Sequence, residues 1–544
     1  MDRMGKSFRE LLESPDFFYG VELVSTRGIP DEGEAAKPVE LGEALASDAR
    51  TGWLSVTDNP GGHPMLPPDW LAHMLSSSDA EIAIHLACKD LNRNGLESAA
   101  WRYAAEGYNN ILALTGDYPA EGFSGQAAPV FDLDSVSLIA MLKAMNEGLT
   151  ISGPGGKKKE LPQTHFYTGC AVSPFKRHER ELMPQYFKLA RKIHCGAEWV
   201  VPQLGYDMRK FYEVRLFMDW AQVSAPIVGN VYLLNRIVAR LFNQNQIPGC
   251  VVSDELNVLA QKYGKGEDKG RAFFYELAAK QLAVFKGLGF AAGYIGGVHK
   301  PQTFFEIVDI AESFAEDDWK QFAKDIQYPQ QDEFYLFEQD PETGLGDLAL
   351  LNSAYKESLV HPEKSDEVTL GYRMSRKIHD GFFKPGEGQF PHMQKLYERL
   401  EKKGDTLASK ALYAIEHASK QMAFGCKDCG DCSLPDTAYL CPRNACSKTG
   451  RNGPCGGSRD GRCELDDKEC LWARAYERLK YYHESEDMLK GPAVFYNAKL
   501  DHTSSWANTF LGRDHHRAAS PSGDAPAPPK GADPQAPDEK PKGA

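Results

Sequence analysis

Apolar residues fall in two periods along the first 315 residues. Eight short, nearly continuous apolar runs read as strands buried on both faces: 18–24 (FYGVELV), 53–58, 81–88, 110–116, 164–172, 198–205, 226–234 and 291–298. Between most of them the apolar positions recur at helical spacing, as in LESAAWRYAAEG and ELMPQYFKLARKIHCG. Several of these segments end in Gly, a normal helix stop. Strands alternating with helices predict an α/β fold with a parallel sheet covered on both sides. Eight such units over residues 1–315 predict a (β/α)₈ barrel rather than an open doubly wound sheet, the alternative with the same local pattern.

The period changes after residue 315. Residues 316–423 read as a helical connector that packs on the barrel. Acids and aromatics dominate its first part, and a long helix near 391–423 breaks around Gly404. Residues 424–515 form a small cysteine-rich segment closed by the helix-like CLWARAYERLKYYHESEDML. Residues 516–544 are rich in Pro and Ala, have no large apolar residue, and read as a disordered tail.

Composition narrows the class. Hydrophobic residues make up 42% of the chain and charged residues 25%, which is globular. A net charge of −14 argues against general nucleic-acid binding. No apolar run approaches the ~20 residues of a membrane helix. The opening MDRMGKSFRELLESPDF lacks the apolar stretch of a secretory signal, so the cytoplasm is the expected compartment. Eight of the 12 cysteines lie between Cys426 and Cys470. In a cytosolic chain such a cluster holds metal more readily than disulfides. Cys88, Cys170, Cys195 and Cys250 sit in apolar segments as small core residues.

Barrel chemistry sits at the C-terminal ends of strands. Polar residues there are Glu22 in YGVELV, Thr57 and Asp58 after the second run, His85 in IAIHLAC, Asp117 in LTGD and Gln203 in VVPQLG. Each has a plain alternative: Glu22 paired with a base behind the sheet, His85 a satisfied core histidine, Asp117 a turn cap. Together, on five strands, they are expected to converge on one mouth. A carboxyl in an apolar strand has its pKa raised by desolvation, which suits a general acid.

The string IHLACKDLNRNGLESAAWRYAAEGYNNILALTGDYP resembles the heart of the methylenetetrahydrofolate reductase family. The resemblance spans roughly residues 8–315. It includes His85-Leu86-Ala87-Cys88, Thr115-Gly116-Asp117-Tyr118-Pro119, YGVEL around Glu22, LSVTDNPGG around Thr57 and LARKIHCGAEWVVPQLGYD. It implies a (β/α)₈ barrel binding FAD at the strand ends, with NAD(P)H as co-substrate and a folate as substrate. By the resemblance, Thr57, His85, Leu114, Thr115, Gly116, Asp117, Ala171, Arg191 and Lys192 contact the flavin, with Arg191 and Lys192 toward its ribose and phosphates. Glu22, Asp117 and Gln203 meet the folate. Glu22 is the catalytic acid that opens the imidazolidine ring, and the Asp117 charge supports both flavin and substrate. The chain departs from the family in three places: Thr115 stands where Arg is frequent, Ser173 where a tyrosine is expected, and GGVHK at the eighth strand.

The cysteines follow C-x₂-C-x₂-C-x₈-C-P-x₃-C-x₈-C-x₇-C-x₆-C. Cys426, Cys429 and Cys432 with the later Cys441-Pro442 match the layout of a [4Fe–4S] site, though with a long last gap. Zinc is the alternative, although a second C-x₂-C pair is missing. Cys446, Cys455, Cys463 and Cys470 remain for a second metal or cluster. The segment also looks like a cysteine-rich domain that accompanies some bacterial methylenetetrahydrofolate reductases. The expectation is a homo-oligomeric reductase with a fused metal-binding domain, served by a redox or methyltransferase partner protein. A methyl-tetrahydrofolate oxidase passing electrons to the cysteine module, and a non-catalytic redox scaffold, are the alternatives.

Overall fold

The computed structural model describes residues 5–518 apart from 29–35, 79, 154, 156, 405 and 490. The expected tail therefore lies almost wholly outside the described residues.

All eight expected strands form, each within a few residues of its apolar run. They are β1 Phe18–Leu23, β2 Thr51–Val56, β3 Glu81–Ala87, β4 Asn110–Leu114, β5 Tyr167–Val172, β6 Trp199–Pro202, β7 Val228–Tyr232 and β8 Ala292–Gly296. They pair in parallel in the order β6-β5-β4-β3-β2-β1-β8-β7. A parallel bridge between Val200 and Ile227 joins β6 to the start of β7 and closes the ring. The fold is the (β/α)₈ barrel, not the open sheet.

Side chains alternate strictly, as the pleat requires. Tyr19, Val21 and Leu23 of β1 and Ile82, Ile84 and Leu86 of β3 face the helices in one core. Trp53, Ala83, Leu112, Tyr167, Trp199, Val201, Val228, Ala292 and Tyr294 point inward and fill the barrel. The short helix Phe8–Leu12 plugs the N-terminal end. Its Phe8 ring lies 5.1 Å from Trp53, 5.2 Å from Trp199 and 5.9 Å from Tyr167. Large aromatics fill the bottom of the barrel interior, and a cavity opens at the top, where Glu22 follows Gly20 inward along β1.

Gly169 makes this packing possible, because a Cβ there would fall inside the Trp199 indole. Overpacking a close-fitted core costs about 1–3 kcal/mol. Gly169→Ala should lower the unfolding free energy read from urea titration by the upper part of that range, while Ala171→Gly, one pleat higher, should cost less. Equal midpoints for Gly169→Ala and the wild type would contradict the packing.

The long helix breaks where expected, into Phe390–Lys402 and Leu407–Phe424, with Gly404 between them at φ +73°. The connector packs on the barrel through the helix Met208–Trp220. Its Leu336 N–H donates to Glu213 at 2.6 Å, and the buried Lys210 donates to the Phe334 carbonyl. Among the described residues no helix is long and apolar enough to cross a membrane. One arrangement was not readable from the sequence: the cysteine-rich segment lies across the C-terminal mouth of the barrel.

Candidate active site

Glu22 sits on the last inward position of β1. The Tyr294 hydroxyl donates to its Oε2 at 3.2 Å, from β8 next door. Burial pushes the Glu22 pKa up, and the Tyr294 hydrogen bond opposes this only in part. Two strands over, His85 Nε2 is 2.9 Å from Ser55 Oγ of the intervening β2. Burial lowers its pKa to about 4, so the imidazole is neutral at physiological pH. His85 thus has the partner of a core histidine and also lines the cavity above it.

Asp117 is held from the opposite loop: the Gly61 N–H donates to its Oδ2 at 2.8 Å. The two loops approach so closely at Gly62 (φ +79°) that a Cβ there would strike the Tyr118 carbonyl. The NPGG sequence after β2 therefore fixes the carboxylate after β4. Thr57 turns its hydroxyl back to the Leu23 carbonyl at 3.3 Å. Thr115 Oγ1 donates to Ser135 Oγ at 3.3 Å. The Gln203 Oε1 accepts from the Leu204 N–H at 3.0 Å, which leaves its amide NH₂ toward the cavity.

Glu22, Thr57, His85, Leu114, Thr115, Gly116, Asp117, Ala171, Lys192 and Gln203 all line this single cavity. Lys192 donates to the Ala171 carbonyl at 2.6 Å, and burial pulls its pKa down to about 8. Arg191 does not join them. Its guanidinium turns to the Pro492 carbonyl of the C-terminal segment. Arg177 also turns outward, to Asp460 at 3.3 Å.

Four further residues belong to the cavity. Asp58 accepts from the Ala87 N–H at 2.9 Å, and burial pushes its pKa up to about 6. The sequence marked it only as a strand end. Ser173 Oγ and Gln185 Nε2 are buried against the cavity with no protein partner. Orphaned donors of this kind are expected where a polar ligand edge docks, and they fit the polar rim of a flavin. Gln185 gave no sequence signal, because it sits mid-helix in Glu179–His194 among apolar neighbours. Lys188, one turn on, donates to the Pro454 carbonyl at 3.0 Å.

That last contact belongs to a lid built from residues 446–464. Lys448 donates to the Gly116 carbonyl at 3.0 Å and pairs with the buried Glu464. Thr449 Oγ1 donates to the Phe131 carbonyl at 3.1 Å. Asn452 donates through its N–H and its amide to Asp134 at 3.0–3.1 Å. Asp134 also caps the helix Ser135–Glu147. Burial alone would raise its pKa, yet the Lys188 charge and the Ser137 and Asn452 hydrogen bonds hold it below the usual range. Lys176 reaches across to the Gly456 carbonyl at 2.5 Å. Lys448, Cys455 and Glu464 line the same cavity as Glu22.

The eight clustered cysteines divide into two groups of four, and none forms a disulfide. Cys426, Cys429, Cys432 and Cys441 line one enclosed cavity. Cys446, Cys455, Cys463 and Cys470 line another, which shares Thr115, Asp134 and Lys188 with the barrel wall. Among the described residues no three of these sulfurs lie within 4.8 Å of one another. Four thiolates on one zinc at ~2.3 Å would stand ~3.8 Å apart. N–H groups point at the sulfurs, from Asp428 to Cys426 and from Gly450 to Cys446, both at 3.4 Å. Lys420 Nζ lies 3.3 Å from Cys432. Burial pushes Cys446 up to about 11 and Cys470 to about 12. A bound cation would favour their thiolate form, since metal ligands must be deprotonated.

Two family descriptions match the chain: methylenetetrahydrofolate reductase over residues 9–276, and methylene-tetrahydrofolate reductase C terminal over residues 406–495. Among solved structures, an uncharacterized protein from Clostridium thermocellum is described as binding two copies of 5-methyl-5,6,7,8-tetrahydrofolic acid. It is 9% identical, with a TM-score of 0.40 over 56% of this chain and 96% of its own. That likeness is too distant to bear on chemistry.

Proposed function

The chain belongs to the methylenetetrahydrofolate reductase family, and from that premise we propose that it interconverts 5,10-methylenetetrahydrofolate and 5-methyltetrahydrofolate. The cofactor is FAD and the donor NAD(P)H. When bound, the flavin supplies or accepts the hydride at the one-carbon unit. The observation that carries the reading is a buried carboxyl, Glu22, whose pKa desolvation raises, in a cavity that it shares with Asp117 and Gln203. In the reducing direction the Glu22 proton goes to the methylene-bearing nitrogen as its C–N bond opens. The electron pair of that bond stays on nitrogen, and the carbon becomes electrophilic. The fixed Asp117 carboxylate stabilises this positive charge. The free Gln203 amide orients the pterin edge, and Ser173 and Gln185 hold the flavin's polar rim. The lid at 446–464 keeps water from the opened ring.

A second reading is favoured by one feature, the Cys446–Cys470 group against the barrel wall at Thr115. With an iron–sulfur cluster there, the module would exchange electrons with the flavin and a redox partner protein. The non-catalytic scaffold is disfavoured, because Glu22, Asp117 and Gln203 line one cavity.

Anaerobically purified protein should show flavin absorption bands over a broad iron–sulfur shoulder. It should reduce 5,10-methylenetetrahydrofolate with NADH or NADPH. A colourless protein without flavin would overturn the proposal. Flavin reduced only by an external iron–sulfur donor would select the second reading.

A further inference from the structure

Beyond the cysteines, one cluster converges on a point as ligands do. His515 Nε2 is 3.0 Å from Asp436 Oδ2, and His516 Nε2 is 3.1 Å from Asp436 Oδ1. The donor atoms of all three residues lie within 4.8 Å of one another. We propose that Asp436, His515 and His516 form a second kind of metal site, for one divalent cation of the zinc class, which clips the C-terminal segment onto the cysteine module.

The dimensions fit. Nitrogen and oxygen ligands at ~2.0–2.1 Å from a tetrahedral zinc stand ~3.3 Å apart. The far side of each ring is also built for the task. His515 Nδ1 is 2.5 Å from Asp431 Oδ1, and His516 Nδ1 is 3.5 Å from Asp514 Oδ2. A carboxylate behind Nδ1 holds the proton there, fixes the ring and leaves the Nε2 lone pair facing inward, as it does behind metal-bound histidines. Asp436 and His516 are 23% and 35% exposed. The fourth position is therefore open to water.

Charge points the same way. Three carboxylates surround two imidazoles. They give a divalent cation a negatively charged setting beside two rings whose centroids are 4.0 Å apart.

The location gives the site its role. Asp431 lies between Cys429 and Cys432, and Asp436 between Cys432 and Cys441, so both acids come from the loop that carries the first cysteine group. Asp431 also accepts from the His515 N–H at 3.1 Å and the Asn497 N–H at 2.9 Å. A cation here would tie residues 514–516 to that loop and so buttress the cysteine cavity from outside. It needs no contact with the barrel mouth, and the proposal stands independently of the reaction assigned there.

The test uses the full chain, purified anaerobically, given zinc in slight excess and then desalted. Zinc and iron are counted by mass spectrometry, and the zinc shell is read by X-ray absorption. The expected result is one zinc per chain with nitrogen and oxygen neighbours only. Zinc bound in a cysteine group would show sulfur and is thereby separable. His516→Ala should lose this zinc and leave iron and flavin unchanged. Asp514→Asn, which alters only the backing carboxylate, should weaken zinc about 10–100-fold. The absorption spectrum of the wild type does not depend on any variant folding. A wild type with no zinc, or only sulfur-bound zinc, overturns the site and leaves a protonated ion-pair network in its place. So does a folded His516→Ala protein that keeps its nitrogen-bound zinc.

Discussion

Glu22→Gln should reduce folate turnover by about 10²–10⁴, the usual cost of deleting a positioned general acid, while nicotinamide still reduces the flavin at the wild-type rate. The two half-reactions separate because only one needs a proton from this wall of the cavity. Gln fills the same volume and still accepts from Tyr294, so the cavity shape survives. The pH profile supplies the second readout. The Glu22 pKa is raised by burial, and the protonated form is the active one. Folate reduction should therefore hold at low pH and fall as pH rises through that elevated pKa. Tyr294→Phe removes a hydrogen bond that favours the carboxylate. Its alkaline limb should move to higher pH, and Glu22→Gln should have no such limb. Unaltered folate reduction in Glu22→Gln would remove Glu22 from the chemistry, and an unmoved limb in Tyr294→Phe would assign the titration to another group.

The barrel was legible because its strands carry their signal locally. Each is a short apolar run, and five of them carry a polar residue near or just past the C-terminal end. Glu22, Asp117 and Gln203 could be named from that regularity together with the order of motifs. What escaped was set by contacts distant in sequence. Gln185 and Lys188 lie on a helix that is buried almost all round, so no polar face marks them. Arg191 reads as a phosphate ligand from its motif, yet a carbonyl from residue 492 takes its guanidinium. Asp134 looks like an ordinary helix cap until Asn452 arrives from 318 residues away. The cysteine spacing showed a first group and a remainder. Only the folded chain shows that the remainder leans on the barrel.

That asymmetry makes the two cysteine groups behave differently when broken. Cys429→Ser should abolish one metal centre and loosen the module around it, because metal binding there is folding energy. For structural zinc in small peptides that energy is about 10–16 kcal/mol. The helix Leu407–Phe424 would lose its anchor at Lys420, which contacts Cys432. The barrel should keep its flavin, since its core is formed by β1–β8 and Phe8–Leu12. Cys463→Ser should remove the other centre and with it the ordering of residues 446–464. The contacts of Lys448 with Gly116 and of Asn452 with Asp134 depend on that loop. Its flavin should be held more weakly and its mouth more open to water, which a faster reaction of the reduced protein with oxygen would report. Iron and acid-labile sulfide measured on both variants, beside flavin content, give the comparison. Each variant should lose about half of the metal, and only Cys463→Ser should also lose flavin. Full metal content in either variant would strike that cysteine from its ligand set. Equal flavin loss in both would mean that the barrel depends on the module as a whole rather than on the group that touches it.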